Sequence, residues 1–333
     1  MCARLSDLPL QAMATAATAV ALFFMVAGPA NAQSYPAKPI RVIVPVSAGS
    51  GMDIVGRIAI EKMAQNMGHA LVAENIPGAN GIIGGAAAAR AAPDGHTLLV
   101  WTESLVLAAL TRKNLSFDPM RDIQMFGTIA KGVFVLVVHP SVPAQSVEEL
   151  VQLARAKPGT VTFGASGLSG PHYLVTEMFA QANGLQLLHV QYKDSAGTVT
   201  ALLGGIIQAA IGLPSSFAPH VRSGKFRALA VTSAKRVPAF PEIPSLMERG
   251  VVGVEYESWW GLLAPSGTAG PVLGRLHAEL GKVVRDKAYT DPRLGKIALD
   301  PFESPSPAAA AALVRAYYDK LAPVVEKAGI KEE

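Results

Sequence analysis

The sequence predicts an α/β protein of two domains with a ligand held between them. Three observations carry that expectation. From Ile40 onward, β-branched apolar runs alternate with helical patterns across short connections. Two loops of small residues, 45–53 (PVSAGSGMD) and 163–172 (FGASGLSGPH), each follow a strand pattern and open into a helical one. Such a turn points the first free N–H groups of the helix outward, and Gly, Ala and Ser let an anion approach them closely. The two loops lie over a hundred residues apart, so each domain receives one amide cradle.

Residues 1–32 stand outside this fold. An apolar stretch, 13–27, follows Arg4, and Ala30-Asn31-Ala32 has the small-x-small pattern of signal-peptidase cleavage, so the mature, periplasmic chain is expected to start at Gln33. A membrane span needs about 20 apolar residues; this run is shorter and meets Pro29 at once. The single cysteine, Cys2, leaves with the segment, so the mature protein has no disulfide and no thiol chemistry. The remaining ~300 residues suffice for two domains. Cleavage removes Arg4 and Asp7, one charge of each sign, and leaves the net charge of +4 unchanged. There is no Lys/Arg run and no interleaving of basic and aromatic residues, which excludes nucleic acid as a partner.

Residues 40–46 (IRVIVPV) read as a strand buried on both faces, and 53–67 as a helix with Asp53 as its N-cap and Gly68 just beyond its end. Residues 70–74 form a second strand, 75–81 a turn into an Ala-rich helix ending near Ala92, and 96–102 a third strand after the Pro93-Asp94-Gly95 break, which completes a βαβαβ unit. Residues 134–138 are another buried strand, closed by His139-Pro140, and Ser146 caps a helix to about Ala156. Strand 161–164, a helix over 172–182, strand 187–192, a helix over 195–203 and strand 206–213 build a second α/β unit. Strand 228–232 and the Pro-rich connector 238–244 lead to strand 259–264 and helices over 272–285 and 307–327, which pack back on the first domain. The strands are expected to be largely parallel.

Several segments, in one order, carry a resemblance: 35–45 (YPAKPIRVIVP), 74–79 (ENIPGA), 91–99 (AAPDGHTLL), 227–236 (RALAVTSAKR) and 258–265 (SWWGLLAP). Over the whole mature chain the sequence resembles the periplasmic solute receptors of tripartite tricarboxylate transporters, the Bug receptors. The resemblance implies a type II periplasmic-binding-protein fold, two α/β lobes with a ligand cleft between them, joined by two crossover strands. It divides the chain into signal peptide 1–32, lobe 1 over 33–137, lobe 2 over 138–235, and a return to lobe 1 over 236–333. It implies a monomer that binds a small organic acid or amino acid and meets the membrane permease subunits of such a transporter.

Carried over residue by residue, the family's first-lobe pattern Phe-x-Ala-Gly-Gly-x-x-Asp falls on Val46, Ser47, Ala48, Gly49, Ser50, Gly51, Met52 and Asp53. Val46 replaces the aromatic and opens space; Ser50 replaces the second Gly and adds a hydroxyl. The second-lobe pattern falls on Ser166-Gly167-Leu168-Ser169-Gly170-Pro171-His172, one residue shorter, and a Tyr-Lys/Arg-Gly-Ser loop on Tyr192-Lys193-Asp194-Ser195. The Asp common after the next strand is replaced by Gly212. The expected ligand contacts are therefore Val46, Ser47, Ala48, Gly49, Ser50, Gly51, Asp53, Thr102, Glu103, Ser166, Gly167, Ser169, His172, Tyr192 and Ser195.

A carboxylate held by several N–H and hydroxyl groups at a helix N-terminus needs no Arg, because hydrogen bonds to an ion are roughly twice as strong as neutral ones and the helix end is partly positive. Asp53 fits an N-cap better than a ligand contact, and His172 fits a cap or packing role. Glu103 stands where the family has small polar residues. Facing the cleft, it would repel a second carboxylate and favour an amine or a hydroxyl-rich tail; otherwise it is a solvated loop acid. The seven histidines are dispersed without an HxxxH or HExxH pair, so neither a metal nor a cofactor is expected. Gly164-Ala165-Ser166-Gly167-Leu168 lacks the last Gly of a nucleophile elbow, and GxxxxGK[ST] and GxGxxG are absent. The chain therefore reads as a receptor rather than an enzyme. The alternatives are a secreted hydrolase using Ser50 or Ser166 with His172, and a ligand sensor for a membrane kinase.

Overall fold

The computed structural model describes residues 35–330 apart from 167–169, 193–194 and 238–239. The leader and the cleavage point at Gln33 lie outside the described residues, as do Gly167, Leu168, Ser169, Lys193, Asp194 and the side chain of Ser166. Residues Lys38–Glu333 form one compact unit that contains two sheets.

The first sheet begins with β1 (Ile40–Val44), buried on both faces. Helix α1 (Gly51–Met67) follows, then β2 (Leu71–Asn75), α2 (Ile82–Ala89) and β3 (Thr97–Thr102). Both β2 and β3 pair with β1 in parallel, as the βαβαβ reading requires. One detail differs: Ser50, not Asp53, is the N-cap of α1. Ser50 is extended (φ −71°, ψ 162°) and its Oγ accepts from the N–H of Asp53 at 3.5 Å, which places Asp53 one turn inside the helix. Gly68, left-handed at φ +63°, closes the helix as expected. Gly84 and Gly85 let α2 lie flush on the sheet: a Cβ would meet Pro45 Cβ at 2.8 Å from the first and Trp101 Cζ3 at 2.1 Å from the second. That contact braces the exit of β1.

Helix α3 (Ser104–Thr111) and the long strand β4 (Ile123–Val133) were not expected from the sequence. Gly127 and Gly132 interrupt the pattern of β4 because helix and loop press on it there; added Cβ atoms would meet Leu280 at 2.7 Å and Leu299 at 2.4 Å. After Phe134 alone the chain enters the second sheet as β5 (Val135–Val138). There follow α4 (Val147–Ala156), β6 (Thr162–Ser166), α5 (Pro171–Asn183), β7 (Leu188–Tyr192), α6 (Ser195–Leu203), β8 (Ala209–Gly212), α7 (Pro214–Arg222) and β9 (Arg227–Val231). Helix α7, which the sequence pattern left unassigned, carries Pro214 at its start and Pro219 inside. The return to the first sheet brings β10 (Glu257–Pro265), α8 (Gly270–Arg285), a short α9 (Lys287–Leu294), β11 (Asp300–Pro301) and α10 (Pro307–Ala328), with α8 and α10 packed on β4.

The strand orders are β11-β4-β10-β3-β1-β2 and β7-β6-β8-β5-β9. The strands are not all parallel: β10 and β5 run antiparallel to both neighbours. Each is the strand the chain enters on arriving from the other sheet, so it runs back against strands that began in place. Thr232, fully buried, stitches the two crossovers together. Its Oγ1 donates to Tyr256 O at 2.7 Å and accepts from the N–H of Phe134 at 2.9 Å, while its own N–H donates to Phe134 O and the N–H of Tyr256 donates to Thr232 O.

Candidate functional site at the strand ends

The exit of β1 is held by a closed network. Asp53, 2% exposed, accepts from the N–H of Gly49 at 2.8 Å, from Arg57 Nε at 2.9 Å and from Asn75 Nδ2 at 2.8 Å. Arg57 Nη2 donates to Asn75 Oδ1 at 2.8 Å, and Asn75 Nδ2 also donates to Val46 O at 3.0 Å. Burial pushes the Asp53 carboxyl up, but the bonds from Arg57, Gly49 and Asn75 outweigh it and hold the group below the usual carboxylate range. The carboxylate thus faces its own loop, and the amide of Gly49 is directed inward to it rather than to the cleft. Gly49 takes φ +80°, a conformation other residues adopt with strain. Ser47, Ala48, Gly49 and Gly51 remain exposed. Gly51 and Met52, the first helical positions, have no intrahelical acceptor for their N–H groups.

Strand β3 ends beside this loop, because it pairs with β1. Thr102 Oγ1 and Trp101 Nε1 both lie 2.9 Å from Ser104 Oγ. Glu103 differs from both sequence readings of it. It is 2% exposed, so it is no solvated loop acid, and its carboxylate is turned toward β10, where Oε1 meets Ser258 Oγ at 2.5 Å and Oε2 accepts from the N–H of Trp259 at 3.3 Å.

In the second sheet β6, β7 and β8 run parallel, and α5, α6 and α7 start at their C-terminal ends. These starts enclose a cavity of about 10 Å3 lined by His172, Ser195, Thr198, Ser216 and Phe217, space for a single water at most. Tyr192, at the end of β7, is half-buried. The His172 ring stacks on Phe134 at 5.2 Å and 16°, and burial pushes its pKa down to about 4, so it is neutral at physiological pH. Gly212 has a packing reason: a Cβ there would meet Phe217 Cε2 at 2.8 Å and His172 Cδ2 at 3.0 Å. The two rings occupy the place that an acid at 212 would need. No group of three or more His, Cys, Asp or Glu among the described residues is arranged to hold a metal ion. The Ser50 hydroxyl accepts from the N–H of Asp53 and so caps α1, and the His172 ring lies flat against Phe134.

Two α/β lobes, each with one antiparallel crossover strand, and helix N-termini gathered at the C-terminal strand ends define a two-lobed solute-binding receptor. Residues 55–330 match the family described as Tripartite tricarboxylate transporter family receptor, and the chain belongs to that family. It is 31% identical over 268 residues to protein BugT of Bordetella pertussis, covering 80% of this chain and 82% of that protein. Among solved structures it is similar to R. palustris Rpa4515 with adipate, at 28% identity and TM-score 0.78 over 89% of this chain and 99% of that one. It is also similar to the periplasmic binding protein BugD, at 29% identity and TM-score 0.75 over 90% and 100%. Members of this family are solute receptors, and no helix among the described residues is long and apolar enough to cross a membrane.

Proposed function

We propose that the mature chain, cleaved before Gln33, works in the periplasm as a monomer that binds a small carboxylate-bearing solute between lobe 1 (33–137 with the return 236–333) and lobe 2 (138–235), and delivers it to the permease subunits of a tripartite tricarboxylate transporter. It binds without turnover. The observation that carries this reading is the fixed loop 46–50, which presents the Gly51 and Met52 N–H groups and the Ser50 hydroxyl beside Thr102 without a counter-charge. That arrangement suits a carboxylate, which such donors bind strongly. From lobe 2, Ser166, Gly167, Ser169, Tyr192 and Ser195 complete the contacts. The similarity to a structure solved with adipate supports the same solute class.

A thermal-shift screen of mono-, di- and tricarboxylates, amino acids and aromatic acids tests the reading, because a ligand of the native state raises the melting temperature by mass action. A carboxylate that stabilises the protein, with no hydrolysis of chromogenic esters, is the expected result. Ester turnover lost on Ser50→Ala would replace it with the hydrolase reading.

A further inference from the structure

Glu103 is a buried carboxyl that the solute site does not use. It sits at the start of α3 in the first lobe, and among the described residues no cation pairs with it. The residues it grips, Ser258 and Trp259, open β10 immediately after the second crossover. The Tyr256 ring on that crossover faces Glu103 with its hydroxyl, which is buried and has no hydrogen-bond partner among the described residues, and stacks on Phe134 at 5.4 Å and 22°. Phe134 is the single residue of the first crossover, and its other neighbour in the stack is His172 of α5 in the second lobe. A continuous buried line therefore runs from Glu103 through one ring of each crossover to the lobe-2 cavity.

We propose that this ladder is the pivot on which the lobes close, and that Glu103 is a positioning residue that sets solute affinity by fixing Tyr256 and β10 without touching the solute. The proposal rests on the two-lobed receptor reading above. Flat rings in a stack can turn and slide while remaining in contact, whereas interdigitated aliphatic packing resists both. Thr232 bonds the crossovers to each other, so they bend as one body and carry the stack with them. Glu103 anchors the first-lobe end, because the buried Trp259 N–H and Ser258 hydroxyl need acceptors there.

The groups facing Glu103 are Tyr256 and, from α10, Tyr317, both phenols whose own pKa values burial raises; Glu255 and Glu257 lie beyond Tyr317. Burial pushes Glu103 itself up to about 7 against the bonds from Ser258 and Trp259. Its proton is therefore exchanged near neutrality, and when bound it turns the carboxyl from acceptor to donor beside the Tyr256 hydroxyl.

The test uses the ligand-free full mature chain. Small-angle scattering and the fluorescence of the three tryptophans, Trp101, Trp259 and Trp260, are followed from pH 5.5 to 8.5 in wild type, Glu103→Gln and Phe134→Leu, with circular dichroism to establish folding. The expected result is a one-proton fluorescence transition near pH 7 accompanied by a change in radius of gyration. Glu103→Gln loses both, and Phe134→Leu keeps the fluorescence transition but loses the change in radius. Where Glu103→Gln fails to fold, Ser258→Ala removes one of its bonds and takes its place. A radius and a pH profile identical in wild type and Glu103→Gln would overturn the proposal. Adipate titrated calorimetrically into the same proteins should bind Glu103→Gln about tenfold differently from wild type. Should adipate and the other carboxylates fail to bind wild type, the carboxylate reading fails, while the ligand-free scattering still decides the pivot.

Discussion

Replacing Asp53 by Asn tests the claim that the solute loop is preorganised by a network beneath it. Asp53 accepts from three donors, the Gly49 N–H, Arg57 Nε and Asn75 Nδ2. An amide of the same shape offers one acceptor oxygen and turns a donor toward donors, so at least one buried bond is lost and one repulsive contact is made. The Arg57 side chain is 40% exposed, which reduces its share to that of a surface pair, up to about 1 kcal/mol. The bonds to Gly49 and Asn75 are sheltered and, as bonds to an ion, contribute about 1.5–3 kcal/mol each. A net loss of about 2–4 kcal/mol follows, because the amide retains part of them. Thermal unfolding at pH 7 should show it as a drop of roughly 5 °C. The sign with pH is fixed by the lowered Asp53 pKa: the stabilisation is present above the unfolded carboxylate pKa and is lost as pH falls through the folded one. The gap between wild type and variant should therefore narrow in acid. Solute affinity should fall roughly tenfold or more, since Val46 and Gly49 must then be ordered at the moment of binding. A variant within about 0.5 kcal/mol of wild type, with unchanged affinity, would mean that Asp53 does not hold the loop.

Glu103 has the opposite sign. Its folded pKa is raised to about 7, so the stability it contributes is complete below the unfolded value and is lost as pH rises through neutrality, up to about 3 kcal/mol. Urea midpoints at pH 5 and pH 8 should show that slope in wild type and not in Glu103→Gln. Gly212→Asp should be destabilised by the contacts with Phe217 and His172, and Phe217→Ala in the same chain should recover part of the loss, read by thermal unfolding. Edman sequencing of the protein recovered from periplasm should begin at Gln33; a retained Met1 would contradict the cleavage reading.

What the sequence made legible follows from which signals are local. The β1 run, the Ser146 cap and the Gly68 stop are each written within a few residues, and the structure has them as expected. Strand β4 was hidden because Gly127 and Gly132 answer to Leu280 and Leu299 far along the chain, and α7 because prolines punctuate it. The acid at position 53 was legible as a helix-start residue, but its partner Asn75 comes from β2, so its task of holding the loop was not. Glu103 was the least legible. Its hydroxyl partner, Ser258, lies 155 residues away, and no local pattern distinguishes a buried anchor from a loop acid.

The central claim, that a carboxylate is clasped between the lobes with its charge on the start of α1, is tested most directly by calorimetric titration of ligand-stripped mature protein with a carboxylate panel that includes adipate, and with the corresponding neutral amides. Scattering is recorded on the saturated samples. At least one carboxylate should bind with a stoichiometry of one, its amide should bind at least tenfold more weakly, and the radius of gyration should contract. Equal affinity for acid and amide, or saturable binding with an unchanged radius, would contradict that claim.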